Sequence, residues 1–288
     1  MSEEQRPHVL IDGFALLFRS FYALPPMTTS RGEPTSGLYG FCVVLMQLLR
    51  ERDPAGFALA IDLPGKSVRR EQMPAYKALR KTAPDPLRIQ SWRLRELADA
   101  AAIPLHAVEG WEADDVIGTL TTKLPRSLVV TGDSDLLQLV DERTTVHFLG
   151  QRGRKTFDVD LDVFRDRYGF APHLLPTYKA MVGDPSDGIP GVQNLGRASA
   201  KALVTAHGDA DGILLAHAEG RIGNRRLVPV LGRVGDDLRR YEGLGRIRRD
   251  LELSEPLTAS IDRDGLRDWF VQLEFHSLAE RMDRSEPA

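Results

Sequence analysis

The sequence predicts an α/β fold, in which a mostly parallel central sheet is flanked by helices and followed by a helical segment. Short apolar runs typical of buried strands occur at residues 9–11, 57–61, 105–108 and 128–131. Apolar residues at helical spacing lie between them, as at 38–49 and 92–102, and this alternation is typical of parallel βαβ units. After about residue 183 the strand-like runs stop, so we expect a core of residues 1–182 and a helical lobe of residues 183–288.

Length and composition limit the possible classes of protein. With 288 residues and 42% apolar content, the chain can bury a sizeable core in one large domain or two smaller ones. Its single cysteine, Cys42, cannot form an intrachain disulfide. The N-terminus lacks a signal pattern, and no apolar run approaches the length of a membrane span. We therefore expect a cytoplasmic protein rather than a secreted or membrane protein.

Nine carboxylates in five short clusters are the most informative feature of the chain. They are Asp12, Asp62, Glu112, Asp114, Asp115, Asp133, Asp135, Asp184 and Asp187. Asp12, Asp62 and Asp133 follow predicted strands, whose carboxyl ends meet at one edge of a parallel sheet. Two carboxylates about 5 Å apart repel by about 3 kcal/mol at an effective dielectric near 20. Mg²⁺ or Mn²⁺ would offset this repulsion, and two such ions can hold the attacking and leaving oxygens of a phosphodiester, so the sequence predicts a metal-dependent nuclease.

Each cluster also has a simpler structural explanation. The carboxylates at 112–115 could complement the positive end of a helix. Asp133 could cap a helix that has Asp135 in its first turn, and Asp184 and Asp187 lie in a turn-type sequence where aspartate is common. The presence of all five clusters together favours the metal site.

The charge distribution is compatible with a nucleic-acid partner. The net charge of −3 includes the nine clustered carboxylates, so the remainder of the chain is net positive. Residues 66–95 contain nine Lys or Arg and two acids, and residues 221–250 contain nine Arg and four acids. Basic stretches around an acidic centre suit phosphate binding, with solvated helix faces as the alternative explanation for both.

Seven motifs then identify a family. They are VLIDGFALLFRSFYAL, TTSRGEP, YGF, the 69–80 stretch ending in AYKALR, GWEADD, TGDSDLLQLV and GDPSDGIPGV. In this order they resemble the 5′-nuclease domain of bacterial DNA polymerase I and related flap endonucleases over nearly the whole chain. The resemblance implies a PIN-like or resolvase-like nuclease core with a helical arch and a C-terminal lobe that contains a helix-three-turn-helix. Because the chain stops at Ala288, where further domains follow in polymerase I, we expect a free-standing flap endonuclease.

The resemblance implies a metal site with two groups of ligands. Those of a first Mg²⁺ or Mn²⁺ ion would be Asp12, Asp62, Glu112 and Asp114, and those of a second Asp133, Asp135, Asp184 and Asp187. Asp115, about 100° around a helix from Asp114, is expected to act through bound water or with a third ion. The implied reaction is in-line attack of metal-activated water on the phosphate, which leaves a 3′-hydroxyl and a 5′-phosphate.

The first basic stretch, 66–95, resembles the family's helical arch, through or under which a single-stranded 5′ end passes. Arg69, Lys77 and Arg80 match the cationic positions of the arch. We expect Lys77 and Arg80, three residues apart, to share a helix face and to grip one phosphate in catalysis. Tyr76 is the candidate for stacking on an unpaired base, with ordinary packing as the alternative.

Two further elements concern DNA binding. Arg19 is a candidate phosphate contact, with a structural ion pair as the alternative. IPGVQNLG resembles the family's helix-three-turn-helix, whose backbone amides hold duplex phosphates and often a K⁺ ion, so Gly191, Val192 and Gly196 are predicted duplex contacts. Gly188 departs from the family, which usually has Asn there, and the QN pair after Val192 replaces a common Lys-Gly. These departures put duplex affinity and K⁺ dependence in question.

The sequence thus predicts a structure-specific 5′-flap endonuclease and 5′→3′ exonuclease. Its expected substrate is branched, nicked or gapped DNA, with RNA primers in RNA–DNA hybrids as an extension. We expect a monomer associated with the bacterial nucleoid, and the sequence identifies no protein partner. Three alternatives stay open. They are a PIN-type ribonuclease, which would lack the arch and the IPGV loop, a catalytically silent binder of branched DNA, and a nuclease that acts mainly on RNA primers.

Overall fold

A computed structural model of the chain describes residues 6–65, 67–78, 82–150 and 156–284. Within these ranges six strands form one sheet, in the order β3-β2-β1-β4-β5-β6. The strands are β1 (His8–Asp12), β2 (Gly56–Ala60), β3 (Leu105–His106), β4 (Ser127–Thr131), β5 (Thr144–Phe148) and β6 (Phe157–Val159). All neighbouring pairs are parallel except β5 and β6. The four strands predicted from the sequence are present, whereas β5 and β6 were not predicted.

The central strands are apolar at nearly every position because both faces of the sheet are covered. In β1, Leu10 packs into one hydrophobic cluster, whereas Val9 and Ile11 pack into another on the opposite face. All five residues of β2 and of β4 are buried. The parallel pairing of β1 with β2 and β4 brings the carboxyl ends of these three strands to one edge of the sheet.

The described residues also contain twelve α-helices. They are α1 (Gly13–Ala23), α2 (Ser36–Arg52), α3 (Val68–Gln72), α4 (Asp85–Ala100), α5 (Ala113–Lys123), α6 (Leu161–Tyr168), α7 (Leu175–Val182), α8 (Arg197–His207), α9 (Ala210–Ala218), α10 (Val228–Gly245), α11 (Arg263–Gln272) and α12 (His276–Arg284). Two short 3₁₀ helices lie at Ser134–Leu139 and Pro172–Leu174. Throughout the described ranges, the helices are too short or too polar to cross a membrane.

The helices form a layer on each side of the sheet. The cluster around Leu10 contains residues of α5 to α10, and the cluster around Val9 contains residues of α1, α2, α4, α11 and α12. The predicted lobe of residues 183–288 is therefore divided between the two layers. Its last part returns to the sheet because apolar side chains of α11 and α12, such as Phe270 and Leu278, are buried against the α2 and α4 side.

The predicted arch differs from expectation. Within 66–95, helix is found in the short α3 and in α4, and residues 74–78 form turns. The prediction that Lys77 and Arg80 share a helix face is not met, because Lys77 has a φ of +52° and its N–H donates to the carbonyl of Asp187 at 3.1 Å. Arg80 lies outside the described residues.

Candidate metal centre and nucleic-acid interface

Asp12 lies at the end of β1 with its carboxylate directed to the sheet edge. One carboxylate oxygen accepts the N–H of Ala15 at 3.0 Å, and the other accepts the hydroxyl of Thr131, at the end of β4, at 2.8 Å. Asp12 thus caps α1 and is buried, with 6% of the residue exposed. Asp12 can therefore cap α1 and also belong to the group of carboxylates at the strand ends.

The N-terminus of α5 joins the same edge. Asp62 follows β2, and its carboxylate accepts the N–H of Ala113 at 2.7 Å, which ties the start of α5 to the end of β2. Glu112 is the N-cap of α5 and forms a capping box with Asp115. The predicted complementarity between these acids and the helix terminus is thus present, and it brings Glu112 and Asp114 to the side of Asp62.

The electrostatics of this edge show that the carboxylates converge. Burial raises the pKa of Asp12 to about 7, and the negative charges of Asp62 and Asp133 add to the rise. Burial also raises the pKa of Asp114 well above its usual value, with Asp133, Asp12 and Asp62 contributing in that order. Burial and then the charge of Asp133 raise the pKa of Asp135 to about 6. Three strand ends and α5 therefore place their acids in one poorly solvated region.

The second group of acids comes from the end of β4 and from the loop between α7 and α8. Asp133 caps the first 3₁₀ helix by accepting the N–H of Asp135 at 2.9 Å. Burial acts to raise the pKa of Asp184, but hydrogen bonds from Ser186 and Lys179 hold it below its usual value. Asp187 is buried and belongs to the same loop. The turn-type environment predicted for Asp184 and Asp187 is present, and the turn carries both acids to the centre.

Lys179 is a member of this centre that the sequence reasoning missed. Its ammonium lies within hydrogen-bond distance of Ser134 (3.0 Å), Asp184 (3.1 Å) and Asp135. A lysine in an otherwise apolar helical stretch, five residues before Asp184, was a signal that could have identified it.

The donor set fits a hard divalent cation. Its donors are carboxylate oxygens, the ligand type that Mg²⁺ and Mn²⁺ prefer. The raised pKa values of Asp12, Asp114 and Asp135 come first from burial and then from mutual repulsion, and a bound cation would offset both. Across the described ranges, no group of three or more Asp, Glu, His or Cys side chains already has the spacing to hold one ion. Side chains of Lys77 and Lys179 instead neutralise part of the centre, on Glu112 and on Asp135 with Asp184.

Asp115 was predicted to serve a metal ion, and the structure gives it another role. It is 0% exposed, and its two oxygens accept Arg69 N–H groups at 2.5 and 2.6 Å. The backbone N–H groups of Glu112 and Arg248 also donate to it, at 3.1 and 2.8 Å. Asp115 is therefore an ion-pair partner with both oxygens engaged rather than a metal ligand, because it lies on the inner side of α5.

The prediction that Arg69 contacts DNA is also wrong, because Arg69 is buried and donates to groups of the protein. Arg69 is 5% exposed, and besides Asp115 it donates to the carbonyls of Leu244 (2.8 Å) and Arg246 (2.9 Å) and to Glu112 (3.4 Å). A guanidinium has five N–H donors, and all five have acceptors here. None is available for a phosphate.

Tyr76 packs in the protein rather than presenting a stacking surface. It is 3% exposed and shares a small hydrophobic cluster with Met73, Ile189 and Leu244. Its hydroxyl donates to Glu112 at 3.0 Å, and burial followed by the charge of Glu112 raises its pKa. The packing alternative is correct, and the predicted base-stacking role is wrong for this arrangement.

Lys77 and Arg19 are the remaining predicted cations that the structure describes. Lys77 donates to Glu112 at 2.8 Å and lies 4.9 Å from the ring centre of Tyr76. Arg19 donates to the carbonyl of Gly150 at 2.7 Å and to the hydroxyl of Thr156 at 3.2 Å. Both of these acceptors are neutral groups, and the contact of Arg19 with phosphate stays a prediction.

The loop between α7 and α8 carries the predicted duplex contacts. Gly191 has a φ of +73°, and a Cβ there would lie 2.5 Å from the nitrogen of Gly183, so the glycine serves the fold of the loop. Val192 is buried, and its N–H donates to the carbonyl of Met181 at 2.8 Å. The prediction of a phosphate contact through the Val192 amide is therefore wrong. Gly196, the N-cap of α8, has open space around its Cα and stays a candidate.

The structure explains why glycine stands at position 188, where the resembling family usually has Asn. Its φ is +73°, and a Cβ there would lie 2.5 Å from the carbonyl oxygen of Ala75. The loop that carries Asp184 and Asp187 thus packs closely on the turn that carries Lys77.

The second basic stretch, 221–250, largely pairs with acids of the protein. Arg239 bridges Asp211 and Asp236, and Arg240 pairs with Asp237. These contacts are typical of a solvated helix face, the alternative that the sequence left open.

Comparison with known proteins agrees with this geometry. Residues 7–169 match the 5′-3′ exonuclease, N-terminal resolvase-like domain, and residues 170–264 match the 5′-3′ exonuclease, C-terminal SAM fold. The chain belongs to the 5′-3′ exonuclease family. The family and the enzyme class predicted from the sequence, a nuclease, are confirmed.

Two relatives show how much of each known protein the chain covers. The DNA polymerase I of Caldicellulosiruptor bescii is 35% identical over 289 residues, which cover 96% of this chain and 34% of that protein. The 5′-3′ exonuclease of Aquifex aeolicus is 35% identical over 209 residues, which cover 71% of each chain. The chain thus spans about a third of the length of the polymerase relative.

Solved structures share the fold. A bacteriophage T5 flap endonuclease variant, in a pseudo-enzyme-product complex with DNA and metal ions, superposes with a TM-score of 0.67 at 16% identity, over 96% of this chain and 98% of that one. The catalytic core of Rad2 with a DNA substrate gives a TM-score of 0.59 at 14% identity, over 99% and 94%. The predicted mostly parallel α/β core with a C-terminal helical part is confirmed.

Proposed function

We propose that this 5′-3′ exonuclease is a structure-specific, divalent-metal-dependent 5′-nuclease that cuts 5′ flaps and removes nucleotides 5′→3′ in branched, nicked or gapped DNA. The observation that carries the proposal is the convergence of Asp12, Asp62, Asp114 and Asp133 at the sheet edge. Burial and the charges of these neighbours raise the pKa values of Asp12 and Asp114, and a bound cation would offset both effects. Family membership and the DNA complexes of the structural relatives support it.

The proposed cofactors are two Mg²⁺ or Mn²⁺ ions. The residues that would hold them are Asp12, Asp62, Glu112 and Asp114 for one, and Asp133, Asp135, Asp184 and Asp187 for the other. Bound ions of this kind lower the pKa of water and stabilise charge on a phosphate. Asp115 is left out of the proposed ligand sets, because both of its oxygens accept N–H groups of Arg69. T5 nuclease structures that contain metal ions support metal dependence in general.

Positioning of DNA is proposed to involve both sides of the centre. The N-terminus of α8, with Gly196 as its N-cap, would bind a duplex phosphate, and a K⁺ ion is proposed in the loop before it. Lys77, Arg80 and Arg19 would contact the phosphates of the 5′ end. Such contacts read the shape of DNA rather than its sequence, which supports specificity for structure.

The proposed setting is the bacterial cytoplasm, at the nucleoid, with the protein acting as a monomer. The proposed substrate is a 5′ flap next to a duplex, and RNA–DNA hybrids with RNA primers are an extension. The bacterial DNA polymerase I relatives support a place in replication and repair.

A labelled 5′-flap duplex tests the proposal. We expect cleavage near the flap junction with Mn²⁺ and none in EDTA, and little cleavage of a matched single-stranded RNA. Asp133→Asn should lower the single-turnover rate at least about a hundredfold, since it removes a metal ligand. Asp264→Asn, an exposed aspartate in the first turn of α11, is the matched control and should cut normally.

The other outcomes separate the alternatives. Cleavage of the RNA alone would favour a PIN-type ribonuclease. Binding of the flap without cleavage would favour a silent binder, and an undiminished rate for Asp133→Asn would remove Asp133 from the metal centre.

A further inference from the structure

Lys179 occupies the space between two carboxylates that are assigned to the second ion. It lies on α7, and its side chain reaches from the helix to Asp184 in the following loop and to Asp135 beside β4. Only 16% of the Lys179 side chain is exposed, so the ammonium is mostly removed from water. The contact therefore joins two chain segments that the family resemblance places around one metal.

The ammonium has no donor left for another partner. It has three N–H groups, and three acceptors surround it, on Ser134, Asp135 and Asp184. A lysine ammonium is charged at neutral pH, so Lys179 acts as the cation of this carboxylate group.

A divalent ion and this ammonium cannot share the same oxygens. Mg²⁺ requires its ligand oxygens at about 2.0–2.1 Å in a near-octahedral arrangement. An ammonium that donates to two of those oxygens would lie only a few ångströms from the ion, where like charges repel strongly. For a second ion to use these two oxygens, the Lys179 side chain would have to move out.

We propose that Lys179 is an internal counter-cation that competes with the second metal ion for Asp135 and Asp184. It stabilises the metal-free centre, and it weakens the second metal site relative to the first. The concentration of free metal at which the centre is complete is thereby set in part by one side chain. This inference rests on the metal assignment of the proposed function.

The proposal has two consequences with opposite signs. Without metal, loss of the ammonium leaves Asp135 and Asp184 unneutralised, so the protein should become less stable. With metal, the competitor is absent, so the second ion should bind more tightly and should stabilise the protein more than it stabilises the wild type. A side chain with only a packing role would lower stability in both conditions and would not raise metal affinity.

Mn²⁺ titration of the DNA-free chain provides the test. Calorimetry and electron paramagnetic resonance would give the number and affinity of bound ions for the wild type, Lys179→Met and Lys179→Arg. We expect Lys179→Met to bind the weaker ion at least about tenfold more tightly, and Lys179→Arg, which keeps the charge, to show no gain. Lys201→Met, an exposed lysine on α8, is the matched control and should bind as the wild type does.

Thermal unfolding in EDTA and in Mn²⁺ provides the second measurement. Lys179→Met should have the lower melting temperature in EDTA and the larger increase on addition of Mn²⁺. If Lys179→Met does not fold in EDTA, Lys179→Gln, which keeps a donor for Ser134, takes its place in both measurements.

The outcomes that overturn the proposal are distinct from failure of the metal assignment. If the wild type binds two ions and Lys179→Met binds the second with unchanged or lower affinity, the competition is refuted and the metal centre stands. If neither protein binds Mn²⁺, the metal assignment and the competition fail together.

Discussion

Replacement of Arg69 by methionine tests the buried ion pair of Arg69 with Asp115. Arg69 and Asp115 are both buried, and the pair ties α3 to the start of α5, to the last turn of α10 and to the residue after α10. Arg69→Met keeps a long apolar side chain but removes the charge and all five donors. Asp115 would then keep the backbone N–H groups of Glu112 and Arg248 as donors but would lose its ion-pair partner.

The expected loss of stability is large. Removal of one partner from a buried ion pair costs about 3–5 kcal/mol, because the other charge stays buried without compensation. The two carbonyls of Leu244 and Arg246 also lose a charged donor. Single domains are stable by about 5–15 kcal/mol, so Arg69→Met should remove a large fraction of the total.

Denaturant unfolding in EDTA, followed by circular dichroism, measures this loss. Arg267→Met is the matched control, because Arg267 pairs with Asp283 on the surface and its loss should change little. In a double-mutant cycle, Arg69→Met with Asp115→Asn should cost less than the sum of the two single changes, by at least about 0.5 kcal/mol.

Two results would refute the reasoning. One is a loss for Arg69→Met no larger than that for Arg267→Met, and the other is strict additivity in the cycle. A DNA-contact role for Arg69 would instead leave stability unchanged and would weaken the salt dependence of DNA binding.

Two further predictions follow from single features. Gly191→Ala should lower the free energy of unfolding by about 1 kcal/mol or more, because the φ of Gly191 is +73° and the new Cβ would meet Gly183. Gly196→Ala, whose Cβ would meet nothing within 4 Å, should be nearly neutral in the same denaturant measurement. Equal effects of the two changes would contradict the structural role given to Gly191. The second prediction concerns pH. Burial raises the pKa of Asp12 to about 7 and that of Asp135 to about 6, from 3.8. These two groups bind more protons in the folded protein than in the unfolded chain in this window, so they contribute stability that increases as pH falls from about 7 toward 4. In EDTA, the melting temperature of Asp12→Asn should therefore depend on pH differently from that of the wild type, and an identical pH dependence would contradict a raised pKa of Asp12.

The sequence was sufficient to predict the central strands and the gathering of acids at their ends. The pattern of β1, β2 and β4 is local, and parallel strands bring their carboxyl ends together without further information. β5 and β6 were missed, because Thr144–Phe148 and Phe157–Val159 contain polar residues and become strands by pairing with neighbours already in the sheet.

The burial and the partners of individual polar side chains could not be predicted from such local patterns. Arg69 and Tyr76 have the sequence context of exposed arch residues, yet both are buried, by contacts with partners 36 to 177 residues away. Lys179 is near Asp184 in sequence, but its contact with Asp135 spans 44 residues.

The order of residues by itself therefore determined the family, the layered α/β architecture and the set of acids available for a metal, since each depends on a short motif or a regular spacing. Only the tertiary structure decided that Asp115 pairs with Arg69, that Tyr76 packs inside and that Lys179 lies between Asp135 and Asp184. The physical reason is that the energy of a buried charge depends on which opposite charge lies within a few ångströms of it, and that neighbour is supplied by the fold.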